Sequence, residues 1–210
     1  MIEIIFLLFV CRNVLADITV EEGNAYVDSF IQSALENAEL EVLALPDHDI
    51  PIVRKLMFMK TEILLREGQI YGLSHISRYD DVQIEEEGNS TLIISNLDLK
   101  DIEVRYKVKF IFLNSEQKPI NVTGLMNNNK VILKLRVIKE SREVYVDDLF
   151  MTKLSGFRVI LKDIGSIFKW LANAFNSLVI NILKKDITSM VQHNLREAFE
   201  NEAGRRNDMF

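Results

Sequence analysis

Asp47-His48-Asp49 is the stretch of this sequence where groups able to hold a metal or relay a proton stand side by side. An imidazole between two carboxylates has the donors for a divalent cation. The competing reading is a loop, because Asp bonds its own neighbouring amides and favours turns. Pro46 and Pro51 bracket the segment, and the loop is the stronger reading. His75 and His193 are far from His48 in the chain and from each other, and the three fit no H-E-x-x-H helix. There is no G-x-S-x-G elbow to expose a nucleophile. Nor is there a glycine-rich loop to cradle phosphate. Glu85-Glu86-Glu87 and Asp147-Asp148 read as solvated charges at turns or strand ends. The chemistry-bearing residues thus point to no catalytic centre, no metal site and no cofactor. The expectation is a non-enzyme.

The first residues speak to destination. Ile4 to Val10 form an apolar core, and Val14-Leu15-Ala16 resembles a small-residue cleavage site before Asp17. The stretch is too short to cross a bilayer. Residues 1–16 are predicted to be a signal peptide, 17–210 a single domain, and the protein secreted and extracellular. The one cysteine, Cys11, falls inside the leader. A mature chain would then contain no disulfide and would rest on core burial alone. Glu3 and Arg12 cancel, so the net charge stays at -6 without the leader. That excludes nucleic acid, whose phosphates need a basic face. The sequons Asn89-Ser90-Thr91 and Asn121-Val122-Thr123 make Asn89 and Asn121 candidate glycosylation sites.

Three kinds of element must position whatever this chain binds. The first is a helix expected from Thr19 to about Leu43. Thr19 and Glu22 have capping-box spacing, and Val27, Phe30, Ile31, Ala34, Leu35, Ala38 and Val42 form a stripe. Leu45 to Pro51 should end it. Next comes a meander, with strands expected near 53–66, 69–79, 82–87, 91–96, 100–113, 120–125, 130–139, 143–149 and 156–162. The turns between them include Glu67-Gly68, Glu87-Gly88-Asn89, Asn127-Asn128-Asn129 and Glu140-Ser141-Arg142. From Ile102 to Phe112 alternate residues are apolar, with Glu103, Arg105, Lys107 and Lys109 between them. Last is a long amphipathic helix, expected from about Ile164 to Phe199, whose stripe includes Phe168, Leu171, Phe175, Leu178, Ile182, Met190, Leu195 and Phe199. Its tail is expected to fray from about Gly204.

This order resembles the group 7 mite allergens. More widely it resembles the TULIP superfamily of bactericidal/permeability-increasing, juvenile-hormone-binding and takeout proteins. The resemblance rests on the first helix, Leu45-Pro46-Asp47-His48, Gly72-Leu73, Ile76-Ser77-Arg78 and the closing helix. It implies an α+β fold in which a long, highly curved antiparallel β-sheet wraps a long C-terminal helix, with an apolar cavity and no catalytic centre. Juvenile-hormone-binding and takeout proteins usually carry an N-terminal disulfide that this mature chain would lack, which favours the mite-allergen branch. A lipocalin is the alternative fold, but the sole tryptophan, Trp170, lies on the closing helix and not near a first strand.

The expected partner is a lipid or other hydrophobic small molecule. The candidate lining is Phe30, Met57, Met59, Phe168, Leu171, Phe175 and Leu178. Ordinary core packing is the competing role for each. Burying a methylene gains about 0.8 kcal/mol, so a chain of about 14 gains roughly 11 kcal/mol before association costs of several kcal/mol. Micromolar carriage thus needs no polar anchor. The alternative function is innate-immune recognition of bacterial lipids or membranes. A third is a fully filled scaffold for protein contacts. Membrane contact would be peripheral, and no heptad is clean enough to fix an oligomeric state.

Overall fold

Thr19 starts the first helix as its spacing predicts. In the computed structural model, which describes residues 18–53, 60–112, 115–116, 118–161 and 180–209, α1 spans Val20–Glu36. The Thr19 hydroxyl accepts from the Glu22 amide at 3.3 Å, and the Glu22 carboxylate accepts from the Thr19 amide at 2.9 Å. The Thr19 amide and hydroxyl, both donating to the Glu22 carboxylate, hold it below its ordinary range, the backbone bond contributing most. The helix stops seven residues before the expected Leu43 (43 − 36), where Asn37 turns its amide onto the Ser33 carbonyl at 2.7 Å. Residues Val42–Leu45 are instead a strand, β1. Pairing with a neighbouring strand outweighs the helical periodicity that Val42 continues, and Val42 is exposed.

The next element also differs from expectation. Leu45 to Pro51 is an edge and not a loop. β1 and β2 (His48–Val53) lie in line along one side of β3 (Lys60–Tyr71), with a kink at Pro46-Asp47. Pro51 is tolerated because an edge strand has one unpaired side. Glu67-Gly68, expected to reverse the chain, is a bulge within β3, with Glu67 at φ 52°.

The remaining strands are β4 (Ile76–Arg78), β5 (Gln83–Glu87), β6 (Ser90–Leu99), β7 (Ile102–Phe112), β8 (Ser115–Glu116), β9 (Ile120–Met126), β10 (Asn128–Ile138), β11 (Val144–Ser155) and β12 (Arg158–Leu161). Their hydrogen bonds form two antiparallel ladders. One runs β1-β3-β7-β9-β12 and the other β11-β10-β6-β4. The two orders match lane for lane: β3 continues into β4, β6 into β7, β9 into β10, and β11 into β12. The ladders are therefore the two halves of one long sheet folded along a line. That is the curved antiparallel sheet with an N-terminal and a C-terminal helix that the sequence predicts.

The fold line passes through Gly72, Asp101, Asn127 and Gly156. Gly72, Asp101 and Gly156 all have positive φ, at 91°, 55° and 74°. Gly156 at φ 74° adopts a backbone conformation that other residues rarely take, and a Cβ there would also displace the Asn127 side-chain oxygen, 2.2 Å away. Asn127-Asn128-Asn129 is part of this crease, not the reversal its composition suggests. The interrupted ladder leaves backbone groups to satisfy. Asn129, fully buried, does this: its amide donates to the Leu99 and Met126 carbonyls at 3.0 and 3.3 Å and its oxygen accepts from the Ser155 amide at 3.3 Å.

The closing helix, α2, spans Ile180–Asn207. Its 28 residues are roughly 42 Å long at the usual rise. Residues 164–179, expected to be its first part, lie outside the described residues, as do residues 1–16. Its end does not fray at Gly204. Arg205 and Arg206 fasten it to Glu202 and to the α1 serines Ser33 and Ser29.

Candidate ligand-binding site

Alternation turns one face of each long strand inward. From the first ladder come Ile63, Leu65, Ile70, Ile102, Val104, Tyr106, Val108, Phe110, Val122 and Met126, all buried. Their neighbours Glu103, Arg105, Lys107 and Lys109 point outward, Arg105 and Lys107 held by Glu103 and Glu67. From the second ladder come Ile93, Leu97, Leu99, Val131, Leu133 and Leu135. Ser95 and Thr91 are buried among them. The crease brings these two apolar surfaces to face a common interior, into which α1 and α2 insert.

The helices fill one part of that interior. Leu183, Ile187, Val191, Leu195 and Phe199 recur every four residues and are buried. Phe30 of α1 is fully buried, its ring 5.8 Å from that of Phe199 and 6.3 Å from that of Tyr26. The Arg206 guanidinium covers Tyr26 and Phe30 at 5.1 and 5.2 Å. Beneath it Glu202 is buried and accepts from Arg205 and Arg206 at 2.8 and 2.7 Å. Burial pushes the Glu202 carboxyl up, but the bonds from Arg205, Arg206 and Ser33 outweigh it and hold the group below its ordinary range.

The other part has a different character. α2 is packed mainly on β11 and α1, and near the first ladder it approaches β1. There His48 Nε2 meets Asp186 Oδ2 at 2.7 Å. Tyr106 donates its hydroxyl to the Pro46 carbonyl at 2.9 Å. Burial, with the Asp186 and Asp47 carboxylates nearby, pushes the Tyr106 phenol well above its ordinary range.

Of the seven predicted lining residues, the structure places Phe30 in the helix-filled part, where it contacts aromatic rings. Met57, Met59, Phe168, Leu171, Phe175 and Leu178 lie outside the described residues. In chain order Met57 and Met59 fall between β2 and β3, and the other four between β12 and α2. Asn89 is exposed at the β5–β6 turn and Asn121 is exposed on β9. Sequence reasoning missed Asn129, Glu202 and Asp186. Each acts through a partner distant in sequence or at a helix end, and none stands out in a local pattern.

Hollows on the surface of the described residues include the following pair. A groove of about 450 Å³ runs between α1 and β4, bounded by Asp28, Ile31, Leu35, Ile76 and Arg78, and one of about 230 Å³ lies on the crease beside Asn127 and Gly156. Among the described residues no three His, Cys, Asp or Glu side chains converge as a metal site would require. Among them, too, no helix is long and apolar enough to cross a membrane.

Comparison with known proteins fits this geometry. Residues 22–202 match the family model described as Group 7 allergen. Over 122 residues, 57% of this chain and 56% of the relative, the sequence is 31% identical to mite allergen Lep d 7 of Lepidoglyphus destructor. The alignment thus spans about half the length of that relative. The crystal structure of a lipopolysaccharide binding protein superposes with a TM-score of 0.55 at 14% identity, over 85% of this chain and 37% of that one. Takeout 1 of Epiphyas postvittana gives a TM-score of 0.35 at 14% identity, over 88% of each chain.

Proposed function

This chain belongs to the Group 7 allergen family, and from that premise we propose that it is a secreted, non-enzymatic carrier of lipids or other hydrophobic small molecules. The observation that carries the reading is the crease. It turns two continuous apolar sheet faces toward one interior, and the described helix packs mainly against only one of them. A structural neighbour is a lipopolysaccharide binding protein, and the shared fold supports a lipid-like cargo here.

Cargo would lie against the first ladder, with Met57, Met59, Phe168, Leu171, Phe175 and Leu178 as its remaining walls and Phe30 closing the far end. Affinity would come from buried methylene area and selectivity from shape. The domain would be residues 17–210, released from a leader at 1–16. Asn89 and Asn121, both exposed, could accept sugars without disturbing the core.

Recognition of bacterial lipids at an exposed basic surface is less well supported. Anionic surfaces attract unpaired cations. Here Arg105, Lys107, Arg136 and Lys139 are engaged by Glu103, Glu67, Glu87 with Asp147, and Glu86 respectively.

The test is extraction of the purified protein, expressed in a eukaryotic host, into organic solvent followed by mass spectrometry. The carrier reading expects near-stoichiometric acyl or sterol-like molecules. A protein that emerges empty, and stays empty after incubation with a lipid mixture, would overturn it.

A further inference from the structure

The outer face of the second ladder is charged differently at its two ends. At the turn end Arg136 is taken by Glu87 and Asp147, and Lys139 by Glu86. Toward the crease the balance changes. Register lays three outward rows across β6, β10 and β11: Asp98, Lys130 and Lys153; Asn96, Ile132 and Phe150; Ile94, Lys134 and Asp148. Lys100 and Lys130 share the carboxylate of Asp98, at 3.6 and 3.4 Å. Asp148 is taken by Arg196 at 3.3 Å, and among the described residues neither Lys134 nor Lys153 is ion-paired. Two of the ammonium groups lie on rings instead, Lys130 Nζ 3.6 Å from the Tyr79 centroid and Lys134 Nζ 5.9 Å from that of Phe150. Tyr79 is 44% exposed. Lys130 and Lys153 stand directly opposite each other, where like charges oppose folding. No described contact of Lys153 offsets that cost.

We propose that this face docks on an anionic phospholipid bilayer, with Lys100, Lys130, Lys134 and Lys153 over the headgroups and Tyr79, Ile132 and Phe150 at their level. Charge complementarity carries the proposal. The chain as a whole has a net charge of -6, so an anionic surface repels most of it and admits it with this face leading. Each lysine near such a surface contributes about fivefold in affinity. Lysine heads are point charges on flexible stems, suited to a fluid surface of mobile headgroups. The guanidinium of this face, Arg136, whose fork would hold a fixed phosphate, is already occupied. The partly exposed Ile132 and Phe150 between the lysines, and the Tyr79 ring with its hydroxyl, favour the boundary of headgroup and acyl chain over the phosphates of a nucleic acid. α2 packs on the opposite face, where Thr188 meets Met151, so docking leaves the interior unobstructed. The contact does not depend on the carrier reading; where that reading holds, it brings the interior to the membrane that supplies the cargo.

Co-sedimentation of the full-length protein with phosphatidylcholine vesicles, with and without phosphatidylserine, tests the proposal. Binding is expected only where phosphatidylserine is present, and raising salt should weaken it. Lys134→Gln with Lys153→Gln removes two charges that have no carboxylate partner among the described residues and should weaken binding about 25-fold. Tyr79→Ala should weaken it while leaving the salt dependence unchanged. Lys107→Gln with Lys109→Gln removes the same charge from the outer face of the first ladder and is expected to leave the affinity within about twofold. Absence of phosphatidylserine-dependent sedimentation overturns the proposal. So does an equal loss in the two double variants, since net charge and not a face would then decide, or tighter binding to duplex DNA than to the vesicles at equal salt. Fatty-acid titration separates this outcome from the carrier reading. A Lys134→Gln, Lys153→Gln protein that binds fatty acid like the parent but no longer sediments with vesicles sustains the docking face. A parent that sediments with vesicles but binds no fatty acid sustains it too, and overturns the carrier reading alone.

Discussion

The two ends of α2 are held by different physics. The C-terminal end is held by several contacts: the Phe199 ring packs tilted against Phe30, Glu202 gathers Arg205 and Arg206, and Asn207 donates to the Val144 carbonyl and accepts from its amide at 3.0 and 2.8 Å. Toward Ile180, the described contacts include His48 with Asp186, Thr188 with the Met151 sulfur, and the buried Leu183 and Ile187. Both ends bury their stripe completely. What differs is the partner. One end meets a second helix, whose side chains interlock with its own. The other meets strand residues, Thr188 against Met151 of β11 and Asp186 against His48 of β2.

If that contrast is right, truncation at the locked end should have the largest effect. Phe199→Ala is expected to cost about 4 kcal/mol in urea unfolding, because the site cannot collapse around the lost ring. A cost under about 1 kcal/mol would mean that this end is not filled. Glu202→Gln comes next, at about 3 kcal/mol, since it leaves Arg206 without its buried counter-charge. It also carries a pH signature. The Glu202 carboxyl is held low in the fold, so its contribution is complete above the unfolded carboxyl pKa of about 4.3 and is lost as pH falls through the lower folded value. The parent should therefore lose stability more steeply in that acid window than Glu202→Gln does.

A paired insertion sharpens the comparison. Ala198→Leu, at a buried position beside Phe199 on α2, should cost about 2 kcal/mol from overpacking. Val108→Phe on the first ladder should cost less than about 1 kcal/mol if that face borders adaptable space, while weakening cargo binding. Equal costs in the two regions would erase the distinction. The smallest effect is local. Thr19→Ala removes the capping box and should cost about 1 kcal/mol, seen as faster amide exchange confined to the first turn of α1.

The local devices were legible in the sequence. Thr19 and Glu22 sit three apart, and the cap needs nothing else. The strand over Ile102–Phe112 was legible because its charged residues alternate with apolar ones and no helix tolerates that pattern. The crease was not. Glu67-Gly68 and Asn127-Asn128-Asn129 carry the composition of a reversal, but the same residues serve a bulge or a fold line, and only the pairing of neighbouring strands decides. Val42 continued the stripe of α1 yet joined a sheet, because strand pairing gave its backbone better partners. Phe30 was rightly read as facing inward, but helical spacing does not say whether an inward ring lines a space or fills one. His48 was visible as a reactive type, while its partner Asp186 lay far along the chain with nothing local to connect them.

The central claim is that the creased sheet encloses room for an apolar guest. Titration of the delipidated protein with a fluorescent long-chain fatty acid tests it most directly. The account predicts saturable binding of about one molecule at about micromolar affinity, weakened several-fold by Val108→Phe and insensitive to salt. A signal that rises without saturation, or one that only high salt abolishes, would contradict it.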